Sequence, residues 1–180
     1  SRDERLEHFT ALGVAVSRMC RDPLLQYGPK ALEDHKKGLC TYDVEQVVLA
    51  IVVTTGIASI FLTKDYTPDY NSGLAHAVFY AMTSYPVIEE KHLHGEVVGF
   101  GVLLALLVDK DEEEFEAIYR LNRALGLPVS LEEIEITEEQ WEECETRIPD
   151  MSDVAHYPYR VTKEMLDAAM ARLRERAAQE

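Results

Sequence analysis

NSGLAHAVFYAMTSYPVIEEKHLHGEVVGFGVLLALLV, residues 71–108, is the stretch around which the rest of the chain can be placed. Leu74, Ala75, Ala77, Val78, Ala81 and Met82 put apolar residues on every side of a helical projection, which predicts a buried helix rather than one lying half in water. His76 falls on the same face as Phe79, Tyr80 and Thr83, its neighbours at i+3, i+4 and i+7. Pro86 cannot continue that helix, so the chain turns near Ser84 and Tyr85. A second helix starts at His94-Gly95-Glu96, with Glu96 in the first turn, where the helix dipole favours a negative charge. The run VVGFGVLLALLV after it is apolar all round, and Gly99 and Gly101 permit close approach of another helix.

His76 and His94 lie eighteen positions apart, each in one of two buried helices. A buried imidazole needs a hydrogen-bond partner or a metal, since leaving it unpaired costs roughly 1–3 kcal/mol. Spacing alone leaves two readings open: two core histidines satisfied by hydrogen bonds, or half of a metal site.

A resemblance favours the second. The segments G-L-A-H-A-V at 73–78 and H-G-E-V-V-G-F-G at 94–101 resemble the metal-binding stretch of the glycerol dehydrogenase branch of the iron-containing alcohol dehydrogenase family. ALGLPVSLEEIEI at 124–136 and HYPYRVTKEML at 156–166 resemble later segments of the same family, in the same order. The resemblance implies an all-α fold, a helical bundle similar to the dehydroquinate synthase-like α-domain. It also implies that His76 and His94 are two of three protein ligands to a zinc or iron ion. The activity implied is that of an NAD-dependent alcohol or polyol dehydrogenase, in which the divalent metal polarises the substrate hydroxyl for hydride transfer. Three departures stand out. No segment like the family's upstream G-D-A-x-A-K-W, which carries the third ligand, is present; Phe79 occupies a position where a second histidine is common; and Tyr157 replaces the asparagine of H-N-x-P. The glycine-rich nucleotide-binding half is also not in the sequence. Residues 1–180 are therefore expected to form a single helical metal-binding domain, a fragment whose N-terminal nucleotide-binding domain, and with it the NAD site, is missing. The opening Ser1-Arg2, without an initiator Met, fits that expectation.

Composition narrows the partners. With 33 acidic against 18 basic residues the formal charge is −15, which argues against nucleic acid and against an anionic membrane surface. Cys20, Cys40 and Cys144 are odd in number and widely spaced, a pattern of the reducing cytoplasm rather than of a disulfide framework. The apolar run at 47–62 holds sixteen residues and includes Thr54, Thr55, Gly56 and Ser59, so it is read as a buried core helix and not a membrane span. The expected partners are a small alcohol or polyol, the missing domain, and further copies of the chain in a homo-oligomer.

The remaining elements come from caps and breakers. A helix is predicted over 5–20, broken at Asp22-Pro23 and again at Gly28-Pro29, with a segment to Lys37 ended by Gly38. His8 and His35 sit among charged residues and read as surface histidines. Thr41 caps the central helix, and the polar stretch 63–70, with Asp65 and Asp69, reads as a connection. Asp111-x-x-Glu114 opens a helix closed by Gly126, and Ser130-x-x-Glu133 and Thr137-x-x-Gln140 each predict a short helix through a capping box. Trp141 reads as a core anchor. His156 lies in an irregular segment, and Thr162 caps a final helix over 163–177. The competing reading of the whole chain is a metal-free helical module that serves in packing or assembly.

Overall fold

The structure is a computed structural model, and it describes residues 7–63 and 71–179. Among the described residues there are helices and turns and no strand, as the sequence predicts. The chain divides into two compact units, one running to Asn71 and the other from Ser72 onward.

The first unit is built from α1 (His8–Lys36), α2 (Tyr42–Leu49), a π-helical turn (Ala50–Thr54) and α3 (Thr55–Leu62), with α1 packed along the others. The breaks predicted at Pro23 and Pro29 do not occur. Each proline forfeits one backbone hydrogen bond, yet α1 continues through both because packing along α2 and α3 holds the helix, and tertiary contact outweighs local propensity. The predicted stop at Gly38 does occur, with φ at 70°. Residues 5 and 6 of the predicted first helix lie outside the described residues. Two ring pairs tie the hairpin: Phe9 stacks on Phe61 at 6.1 Å, and Tyr27 meets Tyr42 edge-on at 5.8 Å. At the bend, buried Asp34 pairs with Lys30 and accepts a 2.9 Å hydrogen bond from the Thr41 hydroxyl.

The expectation of a fully buried central helix is not met. Ala50 and Ala58 are buried, but Val52 is 67% exposed and Ile60 73%. A helix packed on one partner hides one face only, and hydropathy does not say how many faces are covered. By length and composition the stretch Tyr42–Leu62, 21 residues with mean hydropathy 2.0, is long and apolar enough to cross a membrane. Its middle is a π turn in which the Thr55 hydroxyl donates to the Ala50 carbonyl at 3.0 Å.

The second unit holds α4 (Leu74–Met82), α5 (Pro86–Lys91), α6 (His94–Val108), α7 (Glu112–Leu125), α8 (Glu138–Arg147) and α9 (Lys163–Ala177). Its core forms where α4 and α9 pack on α6, with Leu74, Val78, Met82, Phe100, Leu103, Leu104, Leu166 and Met170 all buried. Each of these larger side chains contributes about 1.5–3 kcal/mol on leaving water. The caps act as predicted at three helices. Asp111 accepts from the Glu114 amide at 3.1 Å, Thr137 from the Gln140 amide at 3.2 Å, and Thr162 from the Met165 amide at 3.4 Å. Trp141 is buried in the core, as expected. The helix predicted after Ser130 does not form. Only one of its capping bonds is made, Ser130 Oγ accepting from the Glu133 amide, while the Glu133 carboxylate accepts from the Val129 amide in place of that of Ser130. Glu135 then turns to φ 55°, and the segment closes as a turn with the Ile136 amide bonded to Leu131.

Candidate metal centre

The two histidines meet because α4 and α6 touch at backbone level. A β-carbon built on Gly101 would lie 2.6 Å from the carbonyl oxygen of Ala75 and 2.9 Å from its Cα, so only glycine permits this approach. Gly99 is not used this way, since a β-carbon there would rest 3.8 Å from Asn122 Nδ2, an ordinary contact. Between the helices, Pro86 ends one turn and opens α5 at its first position, and α6 begins at His94. Glu96 folds back to accept from the Leu93 amide at 2.9 Å, which fixes the start of α6 and occupies that carboxylate.

The result brings His76 and His94 together, with ring centres 5.7 Å apart and planes inclined by 43°. Two imidazoles sharing a tetrahedral zinc through bonds of about 2.0–2.1 Å would have ring centres about 5 Å apart, a little closer than the observed separation. His76 is half-buried, and burial, with a smaller contribution from His94, holds its proton affinity below the usual histidine range. Asp153, on the short turn Ser152–Val154 beside α4, works in the opposite direction. The neutral ring that results is the form that coordinates a metal. His94 is exposed, with the Phe79 ring 4.3 Å from it in an edge arrangement at 78°. Among the described residues no group of three or more histidine, cysteine or carboxylate side chains is arranged to hold a metal. Asp65 and Asp69, read as a connection, lie outside the described residues.

Other histidines fall elsewhere. His8 and His35 are exposed on α1, as expected, and His156 is partly exposed on the segment after Val154. In that segment the Tyr157 ring reaches Gly73 at the start of α4, and the Tyr159 hydroxyl donates to Asp109. His92 is missed by sequence reasoning, although the H-x-H spacing with His94 is a signal for it. Its ring is largely buried between Glu96 at 3.8 Å and Glu135 at 3.7 Å, and its Nε2 has no hydrogen-bond partner. It borders a cavity of about 500 Å³ that Lys91, Arg123 and Glu133 also line.

No family model matches the chain. It is similar to curated glycerol dehydrogenases. It is 34% identical over 135 residues to that of Pseudomonas putida and 34% over 136 residues to that of Thermotoga maritima; each match covers 72% of this chain and 33% of the relative. With glycerol dehydrogenase of Citrobacter freundii the identity is 29% over 170 residues, 89% of this chain and 43% of the relative. Among solved structures, a probable glycerol dehydrogenase from Sinorhizobium meliloti superposes with a TM-score of 0.74 at 24% identity, covering 94% of this chain and 47% of that one. Glycerol dehydrogenase from Schizosaccharomyces pombe gives 0.75 at 23%, covering 94% and 42%. The helical fold is therefore that of part of these proteins, and the chain spans between a third and a half of their length.

Proposed function

We propose that this chain is the metal-binding part of an NAD-dependent dehydrogenase acting on a small alcohol or polyol, with His76 and His94 as two ligands of a divalent zinc or iron ion. The observation that carries the reading is the ring pair itself: two imidazoles 5.7 Å apart on helices locked together at Gly101. Similarity to glycerol dehydrogenases of two bacteria at 34% identity supports it. When bound, the metal supplies Lewis acidity to a substrate hydroxyl. His76 and His94 would hold it with neutral nitrogens, and the burial of His76 keeps that ring from competing for a proton. The nicotinamide cofactor would be bound mainly by a separate nucleotide-binding domain of the parent protein, because hydride transfer needs both partners positioned together. On this reading the chain by itself gives no turnover, works in the cytoplasm, and assembles with copies of itself.

The test is a zinc titration followed by calorimetry. The 180-residue chain should bind one zinc, weakly for a site with two protein donors. His94→Ala should abolish that binding and His35→Ala should leave it unchanged. Equal effects of the two substitutions would refute the ligand assignment and favour the metal-free packing module.

A further inference from the structure

Eight large apolar side chains between Tyr42 and Ile60 are exposed, each by 41–73%. The segment is packed along α1, and the residues it buries are Ala50 and Ala58. Away from them, Leu49, Val52, Val53, Gly56, Ile57 and Ile60 recur at alternate steps of three and one, the spacing of one helical stripe, and all six are exposed. A β-carbon on Gly56 meets nothing within 4 Å, so the stripe is open near its centre. At on the order of 100 Å² for each of the eight side chains, the patch measures about 800 Å², one partner's share of a standard stable interface. A monomer seldom leaves so large an apolar patch uncovered.

We propose that this stripe is the interface between two copies of the chain, packed antiparallel about a twofold axis near Val52 and Val53. This rests on the reading that the chain assembles with itself and gives that assembly a face; it needs no metal. A stripe with helical spacing is matched by the ridges of a second helix. Between Tyr42 and Leu62 the only charged residues are Asp43 and Glu45, both in the first turn. A parallel pair brings these acids of both copies together, in a chain that already carries a charge of −15. The antiparallel pair sets them at opposite ends, where water and salt screen them. Because a twofold axis makes every contact twice, Leu49 of each copy then falls opposite Gly56 of the other. The missing side chain at Gly56 leaves room for that leucine. The same segment is apolar enough to cross a membrane. However, α1 lies beside it from the Phe9–Phe61 pair to the Tyr27–Tyr42 pair, and Arg18, Arg21 and Asp22 fall within that length. A hairpin entering a bilayer carries those charges in with it, at high cost. A second copy needs no such burial.

The experiment is sedimentation equilibrium of the full 180-residue chain over a concentration series. The parent chain should form a dimer that dissociates on dilution. Val52→Glu with Ile60→Glu should raise the dissociation constant by at least about a hundredfold. Gly56→Phe has open space around it in the single chain, so it should keep the parent's circular dichroism and lose the dimer. In a Cys40→Ser background, Val52→Cys should form a disulfide between copies under mild oxidation. Ile60→Cys should not, because the two Ile60 positions lie at opposite ends of an antiparallel pair. Cross-linking at both positions overturns the antiparallel arrangement. A dimer that persists in folded Gly56→Phe and in the double glutamate variant overturns this face and leaves self-assembly standing. A parent chain that is monomeric at every concentration overturns the face and the self-assembly reading together. Binding of the parent chain to phosphatidylcholine vesicles, lost in the double glutamate variant, assigns the stripe to a membrane and overturns the second copy as its occupant.

Discussion

Gly101 lies so close to Ala75 that a methyl group on it would overlap the carbonyl oxygen preceding His76. The separation of the two imidazoles is therefore set by a backbone contact and not by either histidine. Gly101→Ala should drive α6 away from α4, at a cost of about 1–3 kcal/mol from overpacking. It should also weaken zinc binding, because the rings part with their helices. Gly99→Ala, two residues earlier on the same helix, meets only an ordinary contact and should do neither. Thermal unfolding and a zinc titration of the two variants check this, and equal behaviour would show that the contact is not what positions the site.

At its other end, α4 is held by Arg147. The guanidinium donates to the Ala81 carbonyl and to Ser84 Oγ, both at 2.8 Å, and so ties α8 to the last turn of the helix that carries His76. Arg147→Ala should destabilise the fold by about 1.5–3 kcal/mol, the range for hydrogen bonds to a charged group. Arg147→Lys keeps the charge but loses the planar fork, so it should recover only part of the loss. Urea midpoints measure both, and full recovery by lysine would mean that charge alone matters at this joint.

The helix ends around the site were legible because they depend on local chemistry. Pro86 must break α4, Thr137 and Thr162 must cap α8 and α9, and Gly126 must leave its helix with φ at 73°. The features that could not be read depend on neighbours distant in sequence. Nothing local says that α1 continues through Pro23 and Pro29, since the support comes from α2 and α3. Nothing in Ser130-x-x-Glu133 says that Glu135 will turn left-handed and stop the helix its cap had begun. The ring pair was legible only in part. The sequence marks His76 and His94 and the glycine that brings their helices together, but the inward position of His92 between two carboxylates is a tertiary fact.

The exposed face of Tyr42–Leu62 carries a prediction of its own. Val52 and Ile60 point largely into solvent, so Val52→Glu with Ile60→Glu should change monomer stability by no more than about 0.5 kcal/mol per site. If copies of the chain meet through this face, the double substitution should also shift sedimentation toward the monomer. Loss of folding in the variant would restore the buried central helix that hydropathy suggested, and would overturn the exposure of Val52 and Ile60.

The last prediction concerns acid. His76 has its proton affinity lowered in the fold, first by burial and then by His94, from an ordinary value of 6.5. In the unfolded chain the same imidazole takes up its proton near that ordinary value. Between the two values the unfolded state binds more protons, so stability must fall as pH drops through 6.5 and level off once pH is below the lowered value. The effect is modest because the ring is half-exposed, and many carboxylates titrate at lower pH, so the informative quantity is a difference. His76→Asn has no proton to bind in this range. Its urea midpoint, followed from about pH 8 to about pH 5, should fall less steeply than that of the parent chain. Parallel curves would mean that the fold tolerates a charged imidazole at position 76, and burial would then no longer account for a ring kept neutral and ready for a metal.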